Sequence, residues 1–338
     1  MNPRLPKVLV VGGAGYVGAV LVPKLLKAGY RTRVFDLFLY GDRVFSGCAN
    51  DPNLEVIKGD VRDLPAVKKA LAGCDAVIHL ACISNDPSFE LDPELGKAIN
   101  FSSFEPLVRA AKDAGVKRFV YVSSSSVYGV SEQPNVAEDH ALNPLTDYSK
   151  YKALCEAVLP RHQSKDFTTL ILRPATVCGW SPRLRLDLTV NLLTSHAVHR
   201  GRITVFGGAQ KRPNIHIEDV TDLYVRSLEY PDEKIAGKTF NAGYHNHTVG
   251  ELAALVKKVV EERTPGGKPI TIETTPSDDN RSYHISSGKI AAALGFTATR
   301  TIENAAEDLV DAFRAGKVKD PDSIQYFNIK TMQAAGLK

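Results

Sequence analysis

Tyr148-Ser149-Lys150-Tyr151-Lys152 sets a tyrosine and a lysine four residues apart. On a helix that spacing puts both side chains on one face. A free phenol has a pKa of about 10 and is a poor base at neutral pH. A nearby ammonium stabilises the phenolate and lowers that value. The tyrosine can then exchange a proton with a substrate hydroxyl or carbonyl. Such pairs are also common on solvated helix faces, so the spacing alone does not establish catalysis. The serine run Ser123–Ser126 could hydrogen-bond a reacting oxygen, and by itself it reads equally well as a polar loop.

A third feature is Val8-Leu9-Val10-Val11-Gly12-Gly13-Ala14-Gly15-Tyr16-Val17-Gly18. Four apolar residues read as a buried strand, and a helical pattern through Val20, Leu21, Leu25 and Leu26 follows the glycines. Glycine lets amide N–H groups come close to a pyrophosphate, and the helix points its positive end at the same place. The strand–glycine–helix context is the one that dinucleotide binding needs. Asp36 closes a second apolar run about 20 residues on, where a carboxylate meets the adenosine ribose. Leu37 follows it, with no arginine to receive a 2′-phosphate, which favours NAD over NADP.

These groups must be held by a scaffold. Apolar runs at 54–57, 75–81, 118–123 and 168–173 read as further strands, with helical stretches at 64–72, 93–114 and from Asp147. Pro106 should kink or divide the second of these helices. Strands alternating with helices imply a doubly wound parallel sheet of Rossmann type, an α/β fold. The serine run ends the fifth strand, where such sheets bind ligands. Beyond Gly179 the rhythm changes. Helices are expected at about 186–199, 217–229, 249–263, 287–294 and 302–314, with short strands at 238–242 and 269–273. The reading is a dinucleotide-binding domain over residues 1–179, to which 214–245 returns. Residues 180–213 and 246–338 form a smaller, mostly helical substrate domain.

Composition sets limits on partners. The 338 residues carry a net charge of +4, with no basic block or aromatic platform, so nucleic acid is not an expected partner. No apolar run approaches the roughly 20 residues that span a bilayer, and Met1–Lys7 has no leader character, which implies a cytoplasmic protein. Five cysteines without CxxC spacing read as reduced thiols, with Cys178 packing rather than reacting. The sequons at Asn100 and Asn246 carry little weight without secretion. His216, His245 and His247 lack a supporting carboxylate or cysteine cluster, so no metal is expected.

Taken in order, the motifs resemble the extended short-chain dehydrogenase/reductases, specifically the NAD-dependent epimerase/dehydratase family acting on nucleotide sugars. The carriers are Gly12–Gly18, Asp36, Gly59–Asp63, Val77–Ala81 and Asn100, then Val122–Gly129, Tyr148 with Lys152, Leu172-Arg173-Pro174 and Arg212–Asp219. The resemblance makes Ser124, Tyr148 and Lys152 the catalytic set. It gives NAD as cofactor, held by Gly12, Gly15, Tyr16, Val17, Gly18, Asp36, Asp60, Val61, Leu80, Ala81, Tyr148 and Lys152. It places the substrate, a nucleoside-diphosphate sugar, against Ser84, Asn85, Ser124, Ser125, Thr176, Asn191, Arg212 and Arg281. Guanidinium forks suit phosphate oxygens. A homodimer through the helices around 94–114 and 147–160 is implied as well.

The same resemblance narrows the reaction. Dehydratases of the family usually carry an Asp-Glu pair after the catalytic Ser/Thr, whereas Ser125 and Ser126 stand here. That favours 4-epimerisation through a transient keto sugar. A 4-keto-sugar reductase is the nearest alternative, and a non-catalytic dinucleotide sensor a remote one. Val11 replaces a common threonine and Thr176 a common asparagine. Gly179–Asp187 is unusually rich in arginine, which leaves the sugar and the nucleotide open.

Overall fold

A computed structural model describes residues 4–336, apart from 42, 85, 132, 134, 277–281 and 283. The first half runs β1 (Lys7–Val11), α1 (Gly18–Lys27), β2 (Arg31–Asp36), β3 (Leu54–Lys58), α2 (Leu64–Leu71), β4 (Ala76–His79), α3 (Asp86–Glu90), α4 (Pro93–Lys97), α5 (Phe104–Asp113), β5 (Arg118–Val122), α6 (Asp147–Val158) and β6 (Thr168–Pro174). The second half runs β7 (Thr176–Cys178), α7 (Thr189–Arg200), β8 (Arg202–Phe206), β9 (Lys211–His216), α8 (Ile217–Arg226), α9 (Asp232–Ile235), β10 (Lys238–Ala242) and β11 (Asn246–Thr248). It continues with α10 (Val249–Arg263), β12 (Thr271–Thr275), α11 (Gly288–Leu294), α12 (Ile302–Arg314) and α13 (Asn328–Ala334).

Seven strands form one parallel sheet in the order β10-β6-β5-β4-β1-β2-β3. This is the doubly wound α/β architecture that the alternating pattern implies. Side chains alternate along each strand, so β1 serves two cores. Val8 and Val10 pack with Leu21, Val22 and Leu25 of α1 and with Leu223 and Tyr224 of α8. Leu9 and Val11 face Val67 of α2, Leu107 and Val108 of α5 and Cys155 of α6. Burial on both faces explains why these strands read as continuous apolar runs. A third core joins α7, α10 and α12 to β8 (Val190, Leu193, Leu252, Val256, Ala305 and Ile203). The capping boxes Thr248/Glu251 and Thr301/Asn304 fix the starts of α10 and α12.

The helical stretch 93–114 is indeed divided, but Pro106 is not the dividing residue. A π-helical turn, Ala98–Ser102, separates α4 from α5. Pro106 then falls in the first turn of α5, where a missing N–H costs no helical bond. The turn carries Asn100, whose amide exchanges two hydrogen bonds with the backbone of Ile83, at 2.8 and 3.0 Å. That anchors the loop after β4 at the cleft floor. Among the described residues no helix is long and apolar enough to cross a membrane.

His79 ends β4 inside the second core, with its ring 5.5 Å from Phe104 and 5.9 Å from Tyr121. Burial pushes its imidazole from the ordinary 6.5 down to about 3, and the Lys152 charge adds to this. Between those values the unfolded chain binds the extra proton, so stability falls as pH drops from 6.5 towards 3. At about pH 5 this group costs roughly 2 kcal/mol. His79→Leu should lose less stability than the parent protein between about pH 7.5 and pH 5, measured by urea midpoints. Equal losses in both proteins would contradict the assignment.

Candidate active site

A cleft of roughly 590 Å³ lies across the carboxyl ends of β1, β4, β5 and β6. This is where an open parallel sheet receives its ligand, and the volume suits a cofactor with a substrate. Gly12, Gly15, Tyr16, Val17, Gly18, Asp36, Val61, Leu80 and Ala81 line it at one end. Ser84, Ser124, Tyr148, Lys152, Thr176 and Arg212 line it at the other.

The glycines divide into two jobs. A Cβ on Gly12 would lie 2.4 Å from the Ala81 nitrogen, and one on Gly18 would lie 2.2 Å from the Gly13 oxygen. Both are needed for strand–helix packing. A Cβ on Gly15 would meet only the Gly12 oxygen, at 3.5 Å, and would occupy the cleft instead. The first turn of α1 has neither a side-chain cap nor an acidic residue, so its amides face the cleft unclaimed by a side chain. That combination fits a bound pyrophosphate. Asp36 is oriented by Ala14 N–H at 2.9 Å and Phe38 N–H at 2.7 Å. Burial raises its carboxyl; those two bonds and the Arg183 charge oppose the shift.

Tyr148 and Lys152 project from α6, which opens with a capping box between Thr146 and Ser149. Ser124, which lines the cleft with Tyr148, accepts at Oγ from Ser126 N–H at 3.1 Å and Ser126 Oγ at 2.9 Å. Lys152 Nζ donates to the Val122 carbonyl at 2.7 Å and lies 6.0 Å from the centre of the Tyr148 ring. The expected depression of the phenol by Lys152 is not what the geometry gives. Burial raises Tyr148 well above the ordinary tyrosine range, Cys82 and Asp86 add to it, and Arg185 together with the nearby Ser124 hydroxyl pulls it back.

Beneath this set lies a buried ion pair. Arg173 of β6 meets Glu156 of α6 through Nε and Nη2, the shortest contact being 2.6 Å. Ser123 Oγ donates to the same carboxylate at 2.5 Å, and Arg173 Nη1 donates to Tyr128 Oη at 2.6 Å. Burial works against the Arg173 charge, but its bonds to Glu156 hold it above the ordinary arginine value. This is the physical content of the Leu-Arg-Pro motif: it fastens the helix of Tyr148 to the serine loop.

Some expected contacts stand elsewhere. Asn191 is fully buried and away from the cleft lining. Its Oδ1 accepts from Gly179 N–H at 3.0 Å and its amide donates to Tyr16 Oη and the Arg185 carbonyl. Ser125 points into the core, because the tight turn after Ser124 brings Ser126 round to the cleft instead. The Asp60 carboxylate is held by Arg62, leaving Val61 and Arg62 to line the wall. Asn85 and Arg281 lie outside the described residues.

The sequence reading missed four contributors: Arg185, Arg183 and, on α13, Asn328 with Met332. Arg185 reaches the catalytic end, bound to Asp187 at 2.9 Å and to Ser84 Oγ at 3.1 Å. Arg183 lies over the Tyr40 ring, 3.9 Å from its centre. Asn328 and Met332 of α13 close one wall. The run of arginines was the signal for the first two. Nothing in 328–334 beyond a short apolar spacing marked the other two.

Two expectations follow from this geometry. Gly15→Ala should keep the thermal midpoint but weaken dinucleotide retention by about tenfold or more, whereas Gly18→Ala should lower the midpoint itself. Loss of stability in both, or of retention in neither, would sink the division of roles. Glu156→Ala leaves Arg173 buried without its counter-charge and should cost about 3–5 kcal/mol in denaturant unfolding; a loss below about 1 kcal/mol would show that the pair is not structural.

Comparison with known proteins agrees with this geometry. Residues 8–243 match the family model described as the NAD dependent epimerase/dehydratase family. A UDP-glucose 4-epimerase of Lactobacillus helveticus is 30% identical over 309 residues, covering 86% of this chain and 91% of that protein. A 3 beta-hydroxysteroid dehydrogenase/Delta 5-->4-isomerase of Mycobacterium tuberculosis is 34% identical over 254 residues, 71% of this chain and 65% of that one. The solved structure of MoeE5 in complex with UDP-glucuronic acid and NAD superposes with a TM-score of 0.77 at 26% identity, covering 92% of this chain and 99% of that chain. The protein described here belongs to the NAD-dependent epimerase/dehydratase family, and NAD is its cofactor.

Proposed function

We propose that this protein is a nucleotide-sugar 4-epimerase. Tyr148 Oη exchanges the proton of the sugar O4 hydroxyl, and Ser124 Oγ hydrogen-bonds the same oxygen as it becomes a ketone. Bound NAD supplies the hydride acceptor and donor. Lys152, fixed on the Val122 carbonyl, keeps a positive charge close to the phenol and favours its ionised form as the proton leaves. The Arg185 charge acts in the same direction. With the keto sugar turned so that the hydride returns to the opposite face of C4, Tyr148 gives the proton back to the same oxygen, O4. Both half-reactions use one set of groups, as a reversible acid–base step requires.

The observation that carries this reading is the convergence of Ser124, Tyr148 and Lys152 in one cleft with an uncapped, glycine-lined helix start. The positions after Ser124 offer no acid–base pair for dehydration: Ser125 is buried and Ser126 supports Ser124. A sterol-like substrate, which the Mycobacterium relative's name would suggest, is disfavoured by the buried guanidinium groups of Arg185 and Arg212 along the walls. These suit a phosphorylated substrate. The reading carries a homodimer through α5 and α6, on which Leu154 is exposed.

The test is to incubate the NAD-loaded protein with UDP-glucose, UDP-glucuronic acid and UDP-N-acetylglucosamine. The expected outcome is interconversion of 4-epimers without net change in nicotinamide absorbance. Tyr148→Phe should lower that rate by about 10²–10⁴-fold while NAD stays bound. Stoichiometric consumption of added NADH with a keto sugar would replace epimerisation by reduction. A function that survives Tyr148→Phe would point to a sensor.

A further inference from the structure

Arg183 has an unusual position for a buried cation. It is 4% exposed and lines the cleft beside Gly15, Tyr16, Asp36 and Tyr40. Its guanidinium plane lies on the Tyr40 ring, and Nη2 donates to Asn328 Oδ1 at 2.6 Å. Its Nε is buried with no hydrogen-bond partner, and among the described residues no carboxylate forms an ion pair with it. Burial and the neighbouring Arg185 push the guanidinium down to about 10, against the opposing charges of Asp187 and Asp36, neither of which is paired with it directly. A buried arginine left so is costly unless an anion completes it.

The backbone fixes where that anion would sit. Ser181 Oγ donates to the Tyr16 carbonyl at 2.7 Å and accepts from Arg183 N–H at 3.3 Å. The segment before Arg183 is thus pinned to the glycine-rich turn, over the start of α1. Tyr40 follows Asp36 by four residues, and both line the cleft. By contrast, Arg185 turns to Ser84 and Tyr148 at the catalytic end. The two arginines thus make different contacts, with Asn328 bridging Arg183 to the Ser84 hydroxyl that Arg185 binds.

We propose that Arg183 binds the pyrophosphate of NAD, and that Asn328 of α13 is the positioning residue that aims it there. This deepens the NAD dependence established above and is independent of the epimerase assignment. The guanidinium holds its place by stacking on Tyr40 and by the Asn328 carbonyl, which leaves N–H groups for phosphate oxygens. Asn328 is itself fixed at three points: its N–H donates to Asp187 at 3.1 Å, its amide donates to Ser84 Oγ at 3.0 Å, and its Oδ1 accepts from Arg183. The last helix of the chain is thus part of the cofactor site, although it lies outside the β–α–β unit that carries the glycines.

The experiment compares the full-length parent protein with Arg183→Gln, Arg183→Lys and Asn328→Ala. The readouts are NAD content per chain after gel filtration, the NAD release rate, and binding of ADP-ribose, adenosine and UDP by calorimetry on stripped protein. Arg183→Gln should weaken NAD and ADP-ribose by about 10- to 100-fold and leave adenosine and UDP unchanged. Arg183→Lys, which keeps the charge but loses the fork, should fall between. Asn328→Ala should give a smaller loss with the same pattern, and it carries the test should Arg183→Gln not fold. Parental NAD retention in these variants would overturn the proposal. So would an equal loss for adenosine, or a loss confined to UDP, which would assign Arg183 to the substrate's diphosphate. Failure of the epimerase assay alone would leave these binding results untouched.

Discussion

The buried pair of Arg173 and Glu156 is the constraint on which the chemistry rests. It joins β6 to α6, and through Ser123 it reaches the end of β5. Three elements that approach the cleft from different parts of the fold are thereby held to one geometry. Such pairs give little net stability against an apolar replacement, because desolvation offsets the Coulombic gain. Their value here is directional. The bidentate fork fixes the rotation of α6 about its axis, and that rotation decides whether Tyr148 faces Ser124.

Charge in the cleft follows a similar logic. The site is walled by strand ends, and several of its charged groups are buried. Groups that would be unremarkable on the surface are displaced from their usual titration, with Tyr148 raised and Arg183 lowered. A raised phenol and an uncompensated guanidinium both describe a site built around charges that arrive with its ligands. The anionic pyrophosphate and the positive nicotinamide ring change the balance that the protein alone presents. Catalytic readiness is thus a property of the loaded cleft.

Much of this was legible from residue order. The parallel sheet followed from apolar runs alternating with helical periodicity, and α10 and α12 from amphipathic stretches with strong caps. The glycine turn, Asp36 and the Tyr148–Lys152 spacing pointed to one end of that sheet. What was not legible depends on rotation and on distance along the chain. Ser125 and Ser126 are indistinguishable in composition, and one tight turn decides which faces ligand. Asn191 sits on a helix that passes beside the site, and it spends its amide on Gly179 and Tyr16. The division of the helix before α5 came from a π-turn that no residue type announces, not from the proline that did announce itself. Arg183 and Asn328 meet only in three dimensions.

The place of α13 bears on how this protein comes to be made. Asn328 bonds Ser84 across 244 residues of chain, and Met332 is buried in the core that also holds Leu9 and Val11. The glycine turn leaves the ribosome early, and its sheet can assemble while the rest is still being synthesised. The wall that Asn328 and Met332 complete cannot form until α13, far downstream of the glycine turn, has been made. A nascent chain thus presents an open, half-walled cleft until α13 has followed.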